Sequence, residues 1–176
     1  PNNYVVDIAV RIALAAIAAI GLNLLMGFAG QISIGHAAFV AIGAYVSGIV
    51  TARFGWPPLA AIGGAAVGAA VVAWLIAKPI LRLKGHSLTM ATLGLGVIVN
   101  IVLINEVDWT GGPDGMQVPA LTLAGFAVQG ERAWYWIAGG ALLATVFVVS
   151  NLIDSPTGRA LRALHTSEVA AEVTGI

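Results

Sequence analysis

Residues Leu22–Tyr45 read LNLLMGFAGQISIGHAAFVAIGAY and place a short polar link between two apolar runs. A helix that crosses the hydrocarbon core of a bilayer needs about 20 mainly apolar residues. The whole chain contains five such runs, two of which flank this link. Each run is continuously apolar, whereas the strands of a membrane β-barrel alternate apolar and polar residues. They predict an all-α fold, a polytopic transmembrane helical bundle whose spans cover about Val5–Ala29, Ala37–Phe54, Pro57–Ala77, Ser87–Asn105 and Ala133–Ile153.

The composition supports a membrane protein, with 59% apolar and only 9% charged residues, where a soluble domain carries about 25% charged residues. The zero net charge gives no general attraction to nucleic acid. Without cysteine, disulfides and thiolate metal sites are excluded. The sequence has no P-loop, His-Glu-x-x-His or Gly-x-Ser-x-Gly motif. We therefore predict no enzyme activity, no metal site and no cofactor.

Positive charge is concentrated in two of the links. Cytoplasmic loops of membrane proteins carry an excess of Lys and Arg, and alternation of five spans places these two links on the same side. We predict that the link 78–86 and the tail 154–176 are cytoplasmic, whereas the long link 106–132 faces outward. The charges that decide this orientation are Lys78, Arg82, Lys84, Arg159 and Arg162.

The polar link Gly30–His36 (GQISIGH) has two interpretations. Irregular backbone at membrane depth persists only where it is buried in protein or lines a water-filled cavity, and transporters use such broken helices as substrate sites. On this interpretation Asn23, Gln31, Ser33 and His36 face a polar pathway. An ordinary interfacial loop fits the spacing equally well.

Two further stretches combine polar residues with glycine. Thr89 and Thr92 share a helix face, where they either line the pathway or bond to their own helix backbone. The sequence TGGPDG is a strong turn signal on the predicted outer face. It is either a docking site for an external partner or a structural cap, and it comprises Thr110, Gly111, Gly112, Pro113, Asp114 and Gly115.

The polar tail predicts two short helices. Ser155 is a suitable cap with Pro156 at the first helical position, and Thr166 or Ser167 can begin a second helix. These helices would contact either a partner protein or anionic lipid.

Four stretches, spread along nearly the whole chain, carry a family resemblance. Leu22–Tyr45, LRLKGHSLTMATLGLG (81–96), TGGPDG (110–115) and SPTGRALRALHTSEVAAEVTGI (155–176) occur in the family's order. The chain resembles the M-type permease subunit of high-affinity branched-chain amino acid ABC importers. Urea and short-amide permeases share much of this pattern.

The resemblance implies a bacterial inner-membrane permease that works by alternating access and moves leucine, isoleucine or valine. Its implied partners are a second homologous permease, two cytoplasmic ATPase subunits that hydrolyse the ATP, and an external substrate-binding protein. Residues 1–153 would be a partial transmembrane permease region. Residues 154–176 would be a truncated cytoplasmic ATPase-coupling segment, with the coupling residues Arg159, Arg162, Glu168, Ala170, Ala171, Glu172 and Gly175.

The match is loose in the family's Glu-Ala-Ala pattern, because Val169 stands at the Glu position between Glu168 and Glu172. The chain begins without Met and stops in a polar segment, so we expect a longer parent protein and no transport by this fragment alone. A passive channel, a secondary transporter and a membrane anchor remain alternatives. No ionisable residue lies well inside a predicted span, which argues against a proton relay.

Overall fold

The computed structural model describes residues 3–80, 83, 85–119, 122–123, 126–127 and 130–166. Within them, five helices are long and apolar enough to cross a membrane, which confirms the predicted polytopic bundle. The spans are Asn3–Phe28, His36–Phe54, Pro58–Ala77, His86–Asn105 and Arg132–Asp154. The helices are α1 (Asn3–Asn23), α2 (His36–Phe54), α3 (Pro58–Ile80), α4 (His86–Asn105), α5 (Val107–Thr110), α6 (Glu131–Asp154) and α7 (Pro156–Thr166).

The first span begins at Asn3 and ends at Phe28, slightly before the predicted bounds Val5 and Ala29. It covers 26 residues, or about 39 Å at 1.5 Å per residue, against a hydrocarbon core of about 30 Å. Asp7 and Arg11 lie in the first half of this span, one helical turn apart, and Arg11 Nε is 2.9 Å from Asp7 Oδ2. Because the helix is longer than the hydrocarbon core is thick, this ion pair can lie near the membrane surface.

The chain divides into two compact units. The first unit, residues 1–32 and 129–176, contains α1, α6 and α7. Its long helices α1 and α6 pack against each other, and Ala13 and Ala138 are among its buried residues. Small side chains at buried positions let membrane helices approach closely.

The second unit, residues 33–128, contains α2 to α5. Here α3 packs on α2, and Gly68 of α3 faces Val46 of α2. Ala61 and Ala65 of α3 are buried. After α5 come a 3₁₀ turn (Gly112–Asp114) and a two-residue antiparallel ladder of β1 (Thr122–Leu123) with β2 (Phe126–Ala127). This ladder is too short to change the all-α class.

Large apolar side chains lie mostly on the outside of both units. Trp136 and Leu143 of α6 are 76% and 71% exposed, whereas the buried apolar residues among those described are all alanines. This distribution suits a chain whose apolar exterior is covered by lipid or by other membrane segments.

Candidate functional site

The polar link between the first two spans begins with a change of helix type. Residues Leu24–Phe28 form a π-helical turn at the end of α1, and the Ala29 N–H donates to the Leu24 carbonyl at 3.3 Å. Gly30 then adopts a φ of +68°, a conformation that side chains disfavour. The Gln31 N–H donates to the Leu25 carbonyl at 3.1 Å. The helix therefore ends with a glycine cap that satisfies carbonyls left open at its terminus.

Asn23, a predicted pathway residue, lies against this π turn. Its Oδ1 occupies the space that a Cβ atom on Gly27 would need. The absence of a side chain at Gly27 thus makes room for the amide of Asn23. Any larger residue at position 27 would have to displace that amide.

The far end of the link is held on α4 by Thr92. The Ile34 N–H donates to Thr92 Oγ1 at 3.2 Å, and the Thr92 hydroxyl donates to the Thr89 carbonyl at 2.9 Å. Thr92 is only 7% exposed. The Thr92 hydroxyl therefore fixes the non-helical Ile34 amide of the link to α4.

Gly35 allows this close approach. A Cβ at position 35 would overlap the Thr92 carbonyl oxygen and lie 3.3 Å from Thr92 Cα. On the α4 side, a Cβ on Gly96 would lie 3.9 Å from Gly35 Cα. Two glycines thus bring the start of α2 and the face of α4 into contact around the Ile34–Thr92 hydrogen bond.

A groove of about 440 Å³ lies beside this contact, within the second unit. Its walls are mainly aliphatic, because alanines of α2 and Gly96 of α4 leave the space open, and Asn100 supplies an amide. Asn100 was not among the predicted site residues, although an amide inside an apolar span is the signal that marks it. The residues that shape the groove include Ile34, Ala38, Ala41, Gly96, Asn100 and Leu103.

The six predicted pathway residues fall into both units. Asn23 and Gln31 belong to the first, whereas Ser33, His36, Thr89 and Thr92 belong to the second. Within the second unit, Thr92 joins the 33–36 stretch to α4 through the Ile34 amide. That these residues line a substrate pathway stays a prediction.

The TGGPDG turn is built around the buried Thr110. Its hydroxyl lies 2.6 Å from the Leu103 carbonyl and 2.8 Å from the Glu106 carbonyl, and it accepts the Gly112 N–H at 3.0 Å. Gly111 has a φ of +79°, and a Cβ there would overlap the Gly115 carbonyl oxygen. The turn is therefore internally rigid, and its exposed edge consists of Pro113, Asp114 and Gly115.

This turn is also fastened to α2, by contacts that the sequence did not predict. The Arg53 guanidinium lies 4.7 Å from the centre of the Trp109 ring. A Cβ on Gly48 would lie 3.1 Å from Met116 Sδ and 3.3 Å from Val118 Cγ2. A glycine in mid-helix is a signal for such close packing. These contacts with α2 consequently fix the position of the exposed edge of the turn.

The α6–α7 corner has the predicted helix start at Pro156. Ser155 is extended, and its hydroxyl donates to the Leu152 carbonyl at 2.6 Å. Arg162 Nη2 donates to the Ile153 carbonyl at 2.5 Å, and Arg159 Nη1 to the Asp154 carbonyl at 3.3 Å. Both predicted coupling arginines thus bond to carbonyls at the end of α6. A positive charge there also interacts favourably with the negative end of the helix dipole.

Gly158 makes the corner tight. A Cβ there would overlap the Ile153 carbonyl oxygen and lie 2.5 Å from the Leu152 carbonyl oxygen. The remaining predicted coupling residues, Glu168, Ala170, Ala171, Glu172 and Gly175, lie outside the described residues.

The chain matches one known protein family along nearly its whole length. The profile described as "Branched-chain amino acid transport system / permease component" matches residues 4–176. The chain belongs to this permease family. The resemblance inferred from the four sequence stretches is thereby confirmed, and so is the multi-pass membrane character.

Two curated relatives share the name "High-affinity branched-chain amino acid transport system permease protein LivM". The protein of Salmonella typhimurium is 34% identical over 200 residues, and that of Escherichia coli is 33% identical over 200 residues. Each alignment covers 97% of this chain but 46% of the relative. The chain therefore spans about half the length of these relatives. No solved structure gave a significant match.

Proposed function

We propose that this chain is part of the membrane-spanning permease subunit of an ATP-driven importer. The importer moves leucine, isoleucine or valine across the bacterial inner membrane by alternating access. The observation that carries the proposal is the similarity to two high-affinity branched-chain amino acid permeases along 97% of the chain. That similarity includes both the polar link and the tail.

The polar link supports the transport part of the proposal. A π turn, a glycine cap and an amide held by Thr92 interrupt two apolar spans. Such an interruption suits a transporter because it offers backbone groups and polar side chains along an otherwise apolar bundle. In the proposed role, Gln31, Ser33 and His36 line the pathway, and Thr92 holds the Ile34 amide between Ser33 and His36.

The proposed partner proteins follow from the use of ATP as the energy source. The sequence has no P-loop, so ATP hydrolysis belongs to two separate cytoplasmic ATPase subunits, which act on the permease through contacts. The segment 154–176, which includes α7, is the contact surface for them. A second homologous permease completes the pathway, and a substrate-binding protein docks at Pro113, Asp114 and Gly115.

Co-purification and uptake together test the proposal. The full-length parent, expressed with its neighbouring genes and extracted in detergent, is expected to bring down a second permease and two P-loop ATPases. Cells that express the same set are expected to take up labelled leucine, and excess isoleucine or valine is expected to compete.

Three other outcomes would contradict the proposal. Competition by urea or acetamide alone would indicate a short-amide importer. Flux that persists without any ATPase partner would indicate a channel or a secondary transporter. A complex that assembles but carries no substrate would indicate an anchor.

A further inference from the structure

The last turn of α7 touches the turn that ends the π segment. A Cβ built on Gly30 would lie 3.2 Å from Cγ of His165, 3.3 Å from its Nδ1 and 3.3 Å from its Cα. The ring and backbone of His165 thus lie against the open side of Gly30, within the first unit. More broadly, α7 and the π segment Leu24–Phe28 are in contact.

The other end of α7 is anchored on α6. The hydrogen bonds from Ser155 and Arg162 and the close approach of Gly158 hold this end to the last carbonyls of α6. The helix has 11 residues, or about 16 Å at 1.5 Å per residue. It is therefore a short rigid element that is fixed at one end and rests on Gly30 at the other.

The element that receives this contact is suited to change shape. π turns are rare, and they occur frequently at functional sites. The Ala29 to Leu24 hydrogen bond, at 3.3 Å, is long. Gly30 tolerates backbone conformations that other residues do not. Beyond Gly30 the chain continues into the polar link, whose Ile34 amide is held by Thr92.

We propose that His165 is a positioning residue that passes a displacement of α7 to the π turn and so to the polar link 30–36. The inference rests on the proposed function, since α7 would be displaced by the ATPase subunits. The contact is steric and involves both the backbone and the ring of His165, and the inference assigns the transmission to the volume of the ring.

His165 is otherwise exposed, so shortening it is expected to leave the fold intact. A coupling of 1–3 kcal/mol corresponds to about 5- to 150-fold. We expect His165→Ala to lower leucine uptake per ATP hydrolysed at least about 5-fold. His165→Phe keeps a ring and is expected to retain most of the coupling. Thr145→Ala, in α6 outside the proposed ATPase contact surface, loses only a hydroxyl bonded to the Ala141 carbonyl one turn earlier and serves as the control.

The experiment uses the full-length permease with its partner permease, ATPases and binding protein in liposomes, and measures ATP hydrolysis and leucine uptake together. Hydrogen exchange of residues 24–31 is compared with and without ATP plus vanadate. In the wild type we expect nucleotide to change exchange in this stretch, and in His165→Ala we expect that change to be lost. If His165→Ala does not assemble, His165→Gln, which lacks the ring, is measured in the same way.

Two results would overturn the inference: unchanged uptake per ATP in His165→Ala, or an undiminished nucleotide effect on residues 24–31. Loss of coupling in His165→Phe equal to that in His165→Ala would overturn the steric explanation. A wild-type complex without ATP-dependent uptake would instead refute the proposed function, and the inference with it.

Discussion

Replacing Thr92 by valine tests whether one hydroxyl holds the polar link on α4. Valine has nearly the same shape as threonine, so packing around the buried position is largely kept. What is removed is the acceptor of the Ile34 N–H, 3.2 Å away, and the donor to the Thr89 carbonyl. The Thr89 carbonyl lies within α4 and retains its helical bonding, whereas the Ile34 amide lies in non-helical backbone and loses its acceptor.

The size of the effect on hydrogen exchange depends on the cost of leaving the Ile34 amide without an acceptor. Leaving a fully buried donor without a partner costs about 1–3 kcal/mol, and because this hydrogen bond is part-buried we expect a cost at the lower end, about 1 kcal/mol. If the link responds by opening locally, this cost corresponds to about 5-fold more of the open form. We therefore expect the Ile34 amide to exchange its hydrogen about 5-fold faster. Thr92→Ser keeps the hydroxyl, so we expect the Ile34 amide of this variant to exchange its hydrogen more slowly than the Ile34 amide of the valine variant.

Hydrogen exchange of the peptide that contains residues 30–36, in the full-length protein in lipid nanodiscs, measures this effect. Thr51→Val is the matched control, since Thr51 is also 7% exposed and its hydroxyl bonds only to the Ser47 carbonyl of its own helix. Equal exchange in Thr92→Val and Thr51→Val would show that the hydroxyl does not hold the link and would refute the reasoning.

Two other substitutions probe the supports of the site. Gly158→Ala puts a Cβ against carbonyls of the α6–α7 corner, so we expect a loss of about 1–3 kcal/mol, seen as a lower detergent melting temperature. Gly140→Ala, in α6 with open space around the added atom, is expected to be neutral or stabilising, and equal melting of the two variants would contradict the account. Arg53→Gln removes the contact with Trp109, worth about 0.5–1 kcal/mol. The rate of hydrogen exchange of residues 107–116 is therefore expected to rise about 2- to 5-fold, and Arg53→Lys is expected to give an intermediate rate. An unchanged rate in Arg53→Gln would argue against the Arg53 cation as a support of the turn.

Much of the fold could be predicted from the apolar runs. Length and continuity identified all five spans, because the hydrocarbon thickness sets a minimum number of apolar residues. The helix boundaries were less certain. The first predicted span started at Val5, whereas the helix begins at Asn3, because an ion pair one turn apart is compatible with a helix that extends beyond the membrane core.

The site was predictable only in outline. Glycines beside polar residues pointed to the link 30–36 and to Thr92, but composition does not show that the Thr92 hydroxyl binds an amide from another segment. The π turn at Leu24–Phe28 depends on local hydrogen bonding, which has no clear sequence signal. The contacts of His165 with Gly30 and of Arg53 with Trp109 join residues more than 50 positions apart, and a single sequence does not reveal such pairs.

ATP-dependent leucine uptake by the reconstituted full-length complex tests the central claim most directly. Proteoliposomes that contain the parent permease, its partner permease and the ATPases receive the binding protein and labelled leucine on the outer face, with ATP enclosed. The account predicts accumulation of leucine that stops when ATP is omitted and falls when unlabelled isoleucine or valine is added. Leucine entry at the same rate with and without ATP, or no entry in a fully assembled complex, would contradict it.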